Sequence, residues 1–251
     1  GSPYTGSMYL NEPFKLSAVN QEKIHVPSGY SGKALWNKDE IANRIQQYDS
    51  AGWQVAVHTQ GDRAISETLD AFEKSGISKN SRHRLEHCLL PSKNAIQRMA
   101  KLGVSPSFHI NHLWYYGEAL EDHIIGRERT DKILPLKVAA NNSLIFSLHA
   151  DQPMFESDPL SLLHTAVNRK TRDGERVGKS NKISVEQGLK SLTINAAWQI
   201  KMENKIGSIK PGKYADFVIM DQNPMLVDPE KIKDINVLQT IVNGNTIYKK
   251  N

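Results

Sequence analysis

The sequence predicts an α/β protein in which a parallel sheet is covered by helices, followed by a small all-β segment. Two observations predict it. Short β-rich apolar runs alternate four times with helical stretches between residues 54 and 167, and near residue 200 this alternation gives way to turns and short strands. Repeated strand-then-helix order is satisfied by an open doubly wound sheet or by part of a (β/α)8 barrel.

The first 30 or so residues, rich in Gly, Ser, Pro and Tyr, read as loop. Asn37 with Glu40 is a capping-box pair, and Ile41, Ile45 and Tyr48 recur on one face of the helix it opens, which Gly52 ends. Gln54–His58 reads as a buried strand, after which Asp62 is placed to cap a helix carrying Ile65, Leu69 and Phe72 up to Gly76. His83–Cys88, then Ser92 and the face Ile96, Met99 and Leu102 ending at Gly103, repeat that design. Val104–His109 leads through a long aromatic loop to a helical stretch near 130–140, and Ser143–His149 leads to a helix over Pro159–Val167. Ser184 with Gln187 opens a helix through Leu189, Leu192 and Ala196. From Gly207 onward the short runs Ala215–Met220, Val237–Val242 and Thr246–Lys249 follow, the last two joined by Asn243-Gly244, a hairpin pair because both turn positions need positive φ.

Composition excludes several function classes. Of 251 residues, 32 are Lys or Arg and 27 Asp or Glu, a net charge of +5. The basic residues are scattered among acids, as in Gly126-Arg-Glu-Arg-Thr-Asp131, whereas tracking a nucleic-acid backbone needs clustered charge. No apolar run exceeds four residues, far short of the roughly 20 that a membrane span requires. A single cysteine, Cys88, allows no internal disulfide, and with no secretion signal the expected location is cytoplasmic, with a periplasmic or secreted parent the alternative.

Three side chains stand at comparable places in the pattern. His58 ends the first strand, His87 lies near the end of the second, and Asp151 follows the last. Equivalent strand ends in a parallel barrel converge on one face, so distance along the chain becomes proximity in space. Imidazole and carboxylate are the ligands of a metal that activates water, although a lone strand-end histidine is more often a satisfied structural residue. In His58-Thr-Gln-Gly-Asp62, Asp62 is expected both to cap a helix and to accept from a ring nitrogen. Alternation puts Leu85 and His87 on one face and Arg84 and Glu86 on the other, so Arg84–Glu86 reads as a supporting ion pair. His149 and Asp151, two apart, can share a side, Asp151 binding metal and accepting a proton from attacking water, His149 contacting substrate or simply packing.

The runs VAVHTQGDRAI, RHRLEHCLL, FHINHLWYYGEAL, GRER and FSLHADQPM, with the tail GSIKPGKYADFVIMDQNP closing on IVNGNTIY, resemble the amidohydrolase superfamily. The similarity is greatest to its family-3 branch of N-substituted formamide deformylase-like metal-dependent hydrolases. This resemblance implies a deformed (β/α)8 barrel with a β-sandwich subdomain, in which metal-activated water cleaves C–N bonds, amide or related, of a small molecule. It matches His58 and His87 to metal ligands of the fifth and sixth strands, and Asp151 to the eighth-strand carboxylate that orients and deprotonates the water. His109, His112, Tyr115 and Tyr116 fall in the loop after the seventh strand, where members contact substrate. Zinc is the first expectation, with iron, manganese or nickel possible.

The departure from the family is an absence of His-x-His upstream of His58, the only earlier histidine being His25. The chain is therefore expected to be the C-terminal half of a barrel: four β/α units, incomplete, over residues 1–200, with strands of the sandwich over 201–251. Unpaired strand edges would invite self-association or a missing N-terminal half, and the isolated chain would bind metal weakly or not at all and lack activity. The competing expectations are a non-catalytic half-barrel module for binding or assembly, and an open α/β sheet binding a nucleotide or sugar. The latter lacks any Gly-rich phosphate loop.

Overall fold

A computed structural model describes residues 1–250. Helix α1 (Lys38–Ser50) opens with the capping box, Asn37 Oδ1 accepting from the Asp39 and Glu40 amides at 3.0 Å. Strand β1 (Ala56–Thr59) and helix α2 (Asp62–Lys74) follow, then β2 (Arg84–His87), α3 (Lys93–Leu102) and β3 (Ser105–His109). Helices α4 (Asn111–Ala119), α5 (Arg127–Thr130) and α6 (Leu136–Asn141) precede β4 (Ser147–His149), and α7 (Pro159–Asn168), α8 (Val185–Leu192) and α9 (Ile194–Gln199) complete the helical part. The four strands form one parallel sheet in sequence order, with His58 opposite Glu86, Glu86 opposite Ser107, and Ser107 opposite Ser147.

One face of this sheet carries Leu85, Phe108 and Leu148, buried in a single apolar cluster with Ile65 and Leu69 of α2 and Ile96 and Met99 of α3. By alternation the other face carries His58, Arg84, Glu86, Ser105, Ser107, Ser147 and His149. Apolar burial therefore fixes the sheet from one side and leaves a polar surface on the other.

A separate antiparallel sheet is formed by β5 (Phe217–Met220), β6 (Val237–Val242) and β7 (Asn245–Lys249). Its hairpin turns at Asn243 and Gly244 with φ of 49° and 78°, as the Asn-Gly pair predicts. The N-terminal segment is largely irregular yet packed: Met8 and Leu10 are fully buried, and the Tyr9 carbonyl accepts from the Ala64 amide at 3.2 Å. No helix among the described residues is long and apolar enough to cross a membrane.

Four local expectations are corrected. The aromatic stretch after His109 is helix α4, not loop. His112, Leu113 and Gly117 are buried while Trp114, Tyr115 and Tyr116 are half-buried, so apolar residues run round the helix and no amphipathic period shows. Strand β4 begins at Ser147 rather than Ser143, because Ser143 is left-handed (φ 53°) in the turn that ends α6. The last helix breaks at Thr193 (φ −127°, ψ −94°) into α8 and α9. Asp62 is not a cap but the first residue of α2, whose N-cap is Gly61.

Candidate metal centre

Each strand of the parallel sheet brings a histidine to its C-terminal end: His58, His87, His109 and His149. His149 shares the polar face with Ser107, whose Oγ lies 2.7 Å from His149 Nδ1. Strict alternation would send His87 to the opposite, apolar face beside Leu85. It does not go there, because His87 and Cys88 take left-handed φ of 69° and 44°, which turns the imidazole back toward the polar side. His87 Nδ1 then lies 3.1 Å from His149 Nε2, and the His87 and His58 rings are 4.4 Å apart.

His109 stacks on His149 at 5.1 Å between ring centres, and one ring nitrogen from each of His87, His109 and His149 lies within 4.8 Å of the others. Asp151, itself left-handed (φ 62°), places Oδ2 3.9 Å from His109 Nδ1. The expected grouping was His58, His87 and Asp151. The structure brings all three to the same end of the sheet, but the set at ligand spacing is His87, His109 and His149. His58 Nε2 meets the Gly1 carbonyl at 3.0 Å. In the sequence the signal for His109 and His149 was the recurrence of histidine at the close of every predicted strand, whatever the intervals between them.

Burial is the main force on these rings. It pushes His87 and His149 down to about 4, with repulsion from neighbouring imidazoles adding to it and the Asp151 carboxylate opposing it. His109 falls to about 2 and His112 to about 3 for the same first reason. All four are therefore neutral at pH 7, the state in which imidazole can donate a lone pair to a cation. The His112 ring lies against His109 at 4.0 Å between centres, tilted by 52°, and neither ring has a hydrogen-bond partner among the described residues.

The remaining expected residues divide. Tyr115 and Tyr116 project from α4 into an aromatic wall with Phe155 and Tyr4, at 4.7 Å (Tyr115–Phe155) and 4.0 Å (Tyr116–Tyr4) between ring centres. Trp114 points elsewhere, edge-on to His164 at 5.7 Å, as an anchor between α4 and α7. Arg84 Nε donates to Glu86 Oε1 at 2.8 Å, the expected ion pair. Asp62 is corrected: its oxygens accept from the Asn11 amide, the Asn11 side chain and the Arg63 amide, not from a histidine, because the N-terminal segment crosses the start of α2.

Residues 1–248 match the amidohydrolase family. The chain belongs to that family. It is similar to N-substituted formamide deformylase of Arthrobacter pascens, 26% identical over an alignment that covers 97% of this chain and 45% of that protein. It is also similar to the protein LONG AFTER FAR-RED 3 of Arabidopsis thaliana, 30% identical over 91% of this chain and 40% of that protein. An uncharacterised metal-dependent hydrolase from Pyrococcus furiosus superposes with a TM-score of 0.74 at 26% identity, over 90% of this chain and 43% of its own. This family member thus spans less than half the length of the curated relatives it matches.

Proposed function

We propose that this chain contributes to the active site of a metal-dependent hydrolase that cleaves C–N bonds, amide or related, in small molecules. The observation that carries the reading is the convergence of His87, His109 and His149 at the ends of three adjacent parallel strands, with Asp151 beside them. The donor set fits a divalent cation, zinc first. Imidazole nitrogens on one tetrahedral zinc stand about 3.3 Å apart, and His87 Nδ1 and His149 Nε2 are at 3.1 Å. A cation there supplies the Lewis acidity that makes water a nucleophile at neutral pH.

The chain's own groups take the remaining roles. Asp151, 42% exposed at its side chain and so open to solvent, accepts a proton from the attacking water. Tyr115, Tyr116 and Phe155 wall the approach, and His112 supports the His109 ring from behind. His58, with its ring beside His87, is a further ligand once Nε2 is released from the Gly1 carbonyl. The four parallel strands are read as one half of a (β/α)8 barrel over residues 1–200, and β5–β7 as part of a sandwich over 201–251. On this reading the isolated chain holds metal weakly and does not turn over, and its free strand edge pairs with the other half or with a second copy.

Titration of the 251-residue chain with zinc by calorimetry tests the metal reading. One weak site is expected, with affinity reduced at least tenfold in His87→Ala, His109→Ala and His149→Ala separately; unchanged affinity in all three overturns it. Hydrolysis is tested in the full-length parent, where Asp151→Asn is expected to abolish turnover while zinc content stays the same.

A further inference from the structure

We infer that His83 is an acid-released latch on the edge strand β1, holding the start of that strand while its ring is neutral and letting go when both ring nitrogens carry protons. His83 stands just before β2, at the opposite end of the sheet from the histidine cluster, and the latch needs no metal.

The ring is 1% exposed and meets three parts of the fold. The Val55 amide donates to Nδ1 at 2.9 Å, Nε2 lies 3.1 Å from Asp49 Oδ1 near the end of α1, and the Phe72 ring of α2 stacks on it at 5.5 Å between centres. A backbone N–H can only donate, so Nδ1 must present a lone pair. The proton is then on Nε2, where the carboxylate accepts it, and one neutral tautomer satisfies both contacts. Asp49 Oδ1 also accepts from the Ser81 hydroxyl, which fixes the carboxylate in place.

The imidazolium cannot make the same contacts. With a proton on Nδ1 as well, two N–H groups would face each other in a site that water does not reach. Turning the ring over restores nothing, because both nitrogens of an imidazolium are donors. The Asp49 contact survives as an ion pair, so α1 stays attached to His83 while the Val55 amide loses its partner. Burial holds the His83 pKa below the ordinary imidazole value, Asp49 opposing it by charge and hydrogen bond and Lys201 adding to it. Phe72 brings no charge, and Arg82 and Arg84 are turned away to Glu203 and Glu86. The opened form binds the extra proton more readily, so release comes as pH falls. Val55 leads directly into β1, which pairs with β2 alone among the described residues, and its carbonyl accepts from the Arg84 amide at 2.9 Å. A cavity of about 630 Å³, lined by Ile41, Ile45 and Tyr48 of α1 and by Val55 and Val57, gives the loosened strand room to move.

Amide hydrogen exchange of the 251-residue chain without metal, read residue by residue by NMR and expressed as protection relative to an unstructured chain, tests the latch. As the pH is lowered from neutral, Val55 protection is expected to fall about tenfold or more, the size of one lost buried hydrogen bond. The fall should follow the titration of the His83 ring nitrogens, while the buried Ile96 amide of α3 keeps its protection. In His83→Asn, whose side-chain oxygen accepts from the Val55 amide and does not titrate, Val55 protection is expected to stay level over that range. In Asp49→Asn, which removes the charge favouring the imidazolium, release is expected at lower pH. An Nδ1–H tautomer of His83 at neutral pH overturns the latch. So does Val55 protection that is unchanged while His83 titrates, that falls only in step with Ile96, or that falls in His83→Asn at the same pH as in the unmodified chain.

Discussion

His87 and His149 meet at 3.1 Å although the pleat of β2 would place them on opposite faces of the sheet. The left-handed backbone at His87 and Cys88 resolves the conflict: Leu85 keeps its place in the core while the next imidazole but one crosses to the polar side. Core packing and a place in the histidine cluster are thereby divided between two residues of one short strand.

Acid should unfold the chain earlier than its carboxylates alone would require. His87, His109, His112 and His149 have folded pKa values below that of a free imidazole, so between about pH 6.5 and 4 the unfolded chain binds more protons and stability falls as pH falls. Each ring that stays neutral in the fold while protonating in the unfolded chain contributes a slope of about 1.4 kcal/mol per pH unit. Thermal unfolding in metal-free buffer should show Tm dropping steeply across this window; a flat profile would mean the rings protonate within the fold.

Gly61→Ala should loosen the N-terminal segment. A Cβ at this position would lie 1.9 Å from the Tyr9 carbonyl oxygen, a backbone atom that cannot swing aside. The expected loss is about 2 kcal/mol or more, read from chemical denaturation, with faster proteolysis before residue 37.

Arg169 is fully buried, and its guanidinium donates to the carbonyls of Ile133, Leu134 and Val177 at 2.9, 3.0 and 3.1 Å. Arg169→Met should strand all three acceptors and cost about 3 kcal/mol or more. Equal stability of the variant would show that the α6 and α7 region repacks without them.

Asp62→Ala should lower stability by about 1 kcal/mol or less and leave zinc affinity unchanged, because its partners are Asn11 and the Arg63 amide. A change in calorimetric zinc affinity would return Asp62 to the site.

Among the described residues, strand β1 has a partner only on the β2 side. The Val55 and Thr59 carbonyls accept from the Arg84 and Cys88 amides, so the backbone groups of Ala56 and His58 point outward. Sedimentation should detect concentration-dependent association, and Ala56→Pro, which removes one outward N–H, should weaken it. Association unaffected by that change would locate the contact elsewhere.

Most of the fold was legible because its signals are local. The Asn37–Glu40 and Ser184–Gln187 boxes, the Gly103 stop and the Asn243-Gly244 turn all depend on neighbours within four residues. Helix α4 was missed because burial on nearly every side erased its period. At the site, strand-end histidines were visible, but which of them gather depends on left-handed φ at His87 and Asp151, non-glycine residues whose letters favour that conformation only weakly. The contacts of Ser147 Oγ with Gln199 Oε1 and Ser107 Oγ join three elements, and no interval in the sequence encodes that.

The left-handed conformation at Asp151 has an energetic corollary. An L-residue there sits roughly 1–2 kcal/mol above glycine in backbone energy, so Asp151→Gly should make the protein harder to unfold while removing the carboxylate beside His109. On the proposed reading of Asp151, the fold gives up that stability to hold a carboxylate at the rim.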